Sequence, residues 1–204
     1  MRVLLVAATA LLLPLVGESA PAPVISDGPT YTVDGEMKLP VDYREWVFLT
    51  AGLDINYNTD AAVGPGHSVF QNVFVNPSAY RSFLATGTWP DKTVLVLEIR
   101  GAEAKASIDK RGQAQSPDIR AIEVHVKDEA RLPGKWGFFM FDEGKTAKLN
   151  ARPSSCYTCH EAHAAVDTTF VQFYPTLIGL AKAKRTLSPE YLKDIAAPAA
   201  PPAN

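Results

Sequence analysis

The sequence predicts an α+β fold: a predominantly antiparallel β-sheet with a few short helices, the haem-motif helix lying near the C-terminus. Three observations carry this expectation. Residues 47–50, 69–75, 93–99, 121–127 and 136–141 are short runs rich in β-branched and aromatic side chains, each bounded by turn formers. One helical segment lies between the second and third runs, and the remaining helix signals cluster after residue 150, so strands and helices are segregated rather than alternating.

The elements follow in chain order. Residues 1–19 read as a cleavable signal peptide: Arg2 supplies the positive start, an apolar run covers 3–16, and Gly17 stands three residues back from a cut after Ser19. That run is roughly 14 residues, short of the about 20 needed to span a bilayer. Residues 20–29, with Pro21, Pro23 and Pro29, form a flexible lead-in. A single domain fills 30–195, and 196–204 is an Ala/Pro tail without periodicity. Within the domain, Asn76 is an N-cap, Pro77 suits the first helical position, Tyr80, Phe83 and Leu84 share a face, and Gly87 can end the helix in a left-handed conformation. In 121–127, Ile122, Val124 and Val126 alternate with Glu123, His125 and Lys127, which predicts one buried and one wet face. Residues 101–117 are polar and aperiodic and read as a long loop, either mobile or a lid. A short helix surrounds Cys159, another covers 176–185, and a third opens at Ser188-Pro189.

Composition narrows the function classes. With 204 residues, 47% hydrophobic and 21% charged, the chain has the make-up of one folded domain, which rules out wholesale disorder and a multi-span membrane protein. A net charge of −2 gives no basic surface for a phosphate backbone, so nucleic acid is not an expected partner. Removing 1–19 takes away Arg2 and Glu18 together and leaves that charge unchanged. The mature protein is expected in the periplasm, without a membrane anchor.

The chemistry concentrates in Cys156-Tyr157-Thr158-Cys159-His160. In Cys-x-x-Cys-His the two thiols can add to the two vinyl groups of a haem, while the following histidine reaches the iron from the same helical turn. A thioredoxin-like dithiol belongs early in a βαβ unit, whereas this motif comes late. Half a zinc site would need further ligands, and the chain has no other cysteine. A simple disulfide is compatible with export but does not use the histidine. The expectation is one covalently attached haem c, with His160 as the iron's proximal ligand. For the sixth position the sequence offers His67, His125, His163, Met37 and Met140. None has a strong claim: His125 is placed on the wet face of its strand, Met140 reads as core, and His163 follows too closely on the haem helix. An open or water-ligated iron is therefore expected.

The chain resembles the cytochrome P460 family, which includes the cytochrome c'-beta proteins. The matching stretches are Leu39-Pro40 with Tyr43, Arg44, Trp46 and Val47; Asn72-Val73-Phe74-Val75-Asn76-Pro77 with Tyr80; Gly87-Thr88-Trp89-Pro90; Val94-Leu95-Val96 with Glu98; Val126-Lys127-Asp128; Trp136-Gly137-Phe138; the haem motif; Asp167; and 170–175. The resemblance implies a mostly antiparallel sheet, a single c-type haem near the C-terminus, an open distal site and commonly a homodimer. It also marks two departures. Hydroxylamine-oxidising members carry a lysine, cross-linked to the haem edge, where this chain has Leu97, and an arginine where it has Gln71. Val69, Phe70 and Leu97 together suggest an apolar distal wall, so Phe70, Gln71 and Leu97 join Cys156, Cys159 and His160 as expected cofactor-contacting residues.

Three functions compete on this basis. A high-spin ferrous haem under an apolar cap would bind NO. An oxidase or reductase of small nitrogen species such as hydroxylamine would need a distal proton acceptor and a redox partner protein to take electrons. A six-coordinate electron carrier would need a sixth ligand. Binding or redox processing of small nitrogen oxides is the expected role, with hydroxylamine oxidation disfavoured by Leu97.

Overall fold

The computed structural model describes residues 26–57, 61–64, 66–104, 107–142 and 144–197; the signal segment 1–19 and most of the 196–204 tail lie outside them. Five strands form one antiparallel sheet in the order β2-β3-β4-β5-β6: β2 Val47–Leu53, β3 Val69–Val75, β4 Val94–Glu103, β5 Ala114–Lys127 and β6 Trp136–Phe141. Two-residue strands β1 (Met37–Lys38) and β7 (Thr146–Ala147) pair separately. The helices are α1 Pro77–Thr86, α2 Ser155–His163, α3 Ile178–Lys184 and α4 Pro189–Ala196. The architecture is α+β with a mostly antiparallel sheet, and the strands joined by short connections are sheet neighbours throughout.

Strand alternation sorts the core into two clusters, one on each face. Val94, Val96, Ile122, Val124, Val126, Phe139 and Phe141 point to one side and pack with Met37, Tyr43 and Trp46. Leu95 and Trp136 point to the other side and meet Phe83 and Trp89 together with Val166, Val171, Tyr174 and Leu177 from the C-terminal helical segment. The sheet is thus covered on both faces. This corrects the expectation of a wet face on β5. His125 is only 8% exposed, because its ring stacks on Phe138 at 4.0 Å under the C-terminal segment. Polar alternation on this strand marks a lined cavity, not solvent.

The 101–117 stretch also differs from expectation. Its two ends, 101–103 and 114–117, extend the β4–β5 hairpin, with Ala102 opposite Gln115 and Glu103 opposite Ala114. Polar side chains occupy the extension, so no alternating apolar signal announces it; instead the Asn72 and Gln115 amides exchange two hydrogen bonds of 2.8 and 3.0 Å. Helix α1 starts and stops at the expected residues, Gly87 taking φ +79°. The side chain of Asn76 does not cap it. Its Oδ1 accepts from Val94 N, and Asp27, inside the stretch read as lead-in, accepts from Ser78 N at 2.7 Å. Among the described residues no helix is long and apolar enough to cross a membrane.

Candidate haem site

The motif segment folds as helix α2, where Cys156 and Cys159, three residues apart, share a face. Both are free thiols and partly exposed. Tyr157, between them, is 4% exposed and ties the helix to the preceding segment by donating its hydroxyl to the Asn150 carbonyl at 3.0 Å. Asn150 Nδ2 lies 3.4 Å from Cys156 Sγ. The Arg152 guanidinium lies 3.8 Å above the Tyr157 ring and pairs with Glu161, closing the outer side of the turn.

His160 is hydrogen-bonded through one ring nitrogen. Its Nδ1 lies 2.7 Å from the Thr168 carbonyl. A carbonyl can only accept, so Nδ1 carries the proton and Nε2 keeps its lone pair free for a metal. The ring is boxed by Phe170, Phe138 and His125, with centroids 4.1, 4.7 and 5.0 Å away. Burial lowers the His160 pKa, with the Thr168 carbonyl opposing in part, so the imidazole stays neutral as ligation requires.

Thr168 is placed by its neighbours. Thr169, 1% exposed, accepts the indole N–H of Trp89 at 2.7 Å and donates to the Val166 carbonyl. Asp167, with φ +53°, accepts from the Trp89 backbone N–H, and the Lys127 ammonium donates to the Trp89 carbonyl at 2.7 Å. Three of the scattered sequence matches, Trp89, Lys127 and Asp167, therefore converge on the loop that orients His160.

Next to His160 opens a cavity of about 350 Å³. The sheet builds its opposite wall in register: Val73 lies beside Leu97, and Leu97 beside Glu123. Leu95, Ile99 and Gln71 complete that wall, and Phe170, Phe173 and Tyr174 close the helical side. Leu97 and Gln71 thus line the cavity as expected. Phe70 does not; it pairs with Arg100, one step along β3 from Gln71, so alternation turns it to the other face of the sheet. Val69 is likewise absent from the lining. The expected apolar wall is real but is built from Val73, Leu95, Leu97 and Ile99.

Glu123 is the site residue that sequence reading overlooked. It projects into this apolar space, and burial pushes its carboxyl above the usual carboxylate range. Its position opposite Leu97 was implicit in β5 alternation, once that face is taken as a lined cavity. Of the five sixth-ligand candidates, Met37 is fully buried in the opposite core, Met140 is 52% exposed, His67 lies exposed in its turn, and His163 pairs with Asp194 at 2.6 Å. Only His125 lines the cavity. It sits edge-on beside His160, with Nε2 3.4 Å from Thr168 Oγ1.

The residues present suit a haem: one half-buried neutral histidine with its Nδ1 anchored, two thiols within the preceding helical turn, and a largely apolar cavity beside it. The cytochrome P460 profile matches residues 40–171, and the chain belongs to that family, which implies haem c. Among curated proteins none matches the chain.

Proposed function

We propose that this protein is an exported monohaem c-type cytochrome with an open distal site that binds or redox-processes small nitrogen oxides such as NO. Cys156 and Cys159 would carry the haem as thioethers, and His160 Nε2 would ligate the iron. The observation that carries the reading is the cavity itself: Val73, Leu97 and Ile99 give it an apolar sheet wall, and of the five sixth-ligand candidates only His125 lines it, with its Nε2 3.4 Å from Thr168 Oγ1. When bound, the haem supplies an iron able to take a diatomic ligand and exchange electrons. The chain's part is to fix His160 through Thr168, to keep the ligand space apolar, and to present one protonatable group.

That group favours a second reading. Oxidising hydroxylamine releases protons as well as electrons, and Glu123 is a carboxyl raised toward the working range of a proton acceptor. Leu97 argues against the cross-linked haem of the hydroxylamine-oxidising relatives, because an aliphatic side chain has no nitrogen to join to a porphyrin edge. The two readings separate in one experiment. Purified protein is mixed with NO in the ferrous state and, separately, with hydroxylamine and a dye acceptor. Saturable NO binding without dye reduction is expected; sustained hydroxylamine-dependent reduction that falls in Glu123→Gln would establish the enzyme instead.

Export rests on residues 1–19, and a homodimer on the family resemblance. N-terminal sequencing of the mature protein and sedimentation analysis test these two proposals; a retained Met1 or a monomer at micromolar concentration would contradict them.

A further inference from the structure

The family resemblance implies an arginine where this chain has Gln71, and the Gln71 side chain does something an arginine could not. Its Oε1 accepts from Ile55 N at 3.0 Å while its Nε2 donates to Ile55 O at 2.9 Å. The amide thereby copies a β-ladder pair and clamps the short strap that follows β2 back over the sheet. Arginine donates only and has no atom to accept from the Ile55 N–H.

The strap lies over the cavity. Ile55, Asn56 and Tyr57 line its mouth, and the Tyr57 ring, 65% exposed as a residue, rests 5.7 Å from Phe170, which in turn packs on His160. Its base is fixed separately: Asp54 accepts from Val69 N and Ser68 Oγ, both at 2.8 Å. Gly52 provides the seat, because a Cβ there would stand 2.4 Å from Ile55 Cδ1. A firmly tied base, an amide latch and an exposed aromatic tip are the parts of a small hinged cover.

We propose that residues 54–57 gate the cavity and that Gln71 is the latch, setting how fast small uncharged ligands pass. This rests on reading the cavity as an open haem site. A latch acts on the barrier, so weakening it should speed arrival and departure alike and leave the equilibrium unchanged, whereas a group touching bound ligand would change affinity.

The test uses haem-loaded Gln71→Met, with carbon monoxide as the probe on ferrous protein and amide hydrogen exchange on the peptide spanning 52–57. Losing two hydrogen bonds should raise Ile55 exchange about ten-fold and raise both carbon monoxide rate constants several-fold. Gly52→Ala, whose new Cβ would push on Ile55 Cδ1 while meeting Gln71 Oε1 only at ordinary contact distance, 3.6 Å, should raise the same exchange and both rates with the dissociation constant held. Faster exchange with unchanged ligand rates overturns the gate, and an altered dissociation constant with unchanged exchange makes Gln71 a ligand contact instead. Protein that matures without a haem band overturns the functional reading itself, a result distinct from haem-loaded protein whose rates do not move.

Discussion

Glu123 concentrates the chemistry at the residue scale, because it is an ionisable group among aliphatic neighbours. Its native pKa lies above the unfolded value near 4.5, since burial penalises the charge. The folded state therefore holds this proton more tightly, and stability falls as pH rises from about 4.5 through the folded pKa. Glu123→Gln should lose that dependence and be the more stable protein above the window. Urea titrations of both proteins across this range check it; parallel pH profiles would contradict the burial argument. Leu97, beside Glu123 in the register, makes a second prediction. The reduced haem should absorb as an ordinary c-type haem, and haem peptides should carry no lysine bonded to the porphyrin. Leu97→Lys would put an ammonium next to Glu123, lowering the carboxyl pKa and weakening the pH dependence just described.

At the scale of elements, the segment following α2 is what turns a motif into a site. Thr169→Val keeps the shape but leaves the buried Trp89 N–H without its acceptor, and should destabilise by about 1–3 kcal/mol in urea unfolding. It should also perturb the His160 environment, because Thr168 is the adjacent residue; an unaltered stability and haem spectrum would mean that the indole does not hold this loop. On the opposite face of the sheet, Glu98 is 2% exposed and accepts from Tyr43, Arg44 and Arg100. Burial opposes its charge, yet these partners hold its pKa below the ordinary value. That stabilisation is present above about pH 4.5 and is lost as pH falls through the folded pKa. Glu98→Gln should cost about 1–3 kcal/mol at neutral pH, since Arg44 is half exposed and screened. The cost should shrink in acid; a constant difference across pH would assign it to packing alone.

At the scale of the whole molecule, legibility divided along one line. Features written in local chemistry were readable: the five strand cores, the Pro77 start and Gly87 stop of α1, and the short helix around Cys159. Features created by tertiary covering were not. His125 and Glu123 alternate like surface residues and become cavity residues only because the C-terminal segment lies over their face of the sheet. The Thr168 carbonyl is a backbone atom with no sequence signature, and the Gln71 latch depends on a strap that folds back from β2. Phe70 was misplaced by one step of alternation, the difference between the two faces of a strand. The molecule thus sets a five-stranded sheet and helix α2 beside a cavity walled by Val73, Leu95, Leu97 and Ile99.

The central claim is an iron held by His160 and open on the side of Leu97 and Glu123. It is tested most directly by the absorption spectrum of the ferrous protein, matured with its covalent haem, recorded before and after adding NO. The account predicts a high-spin ferrous spectrum that converts to a nitrosyl form. A low-spin six-coordinate spectrum indifferent to NO would contradict it.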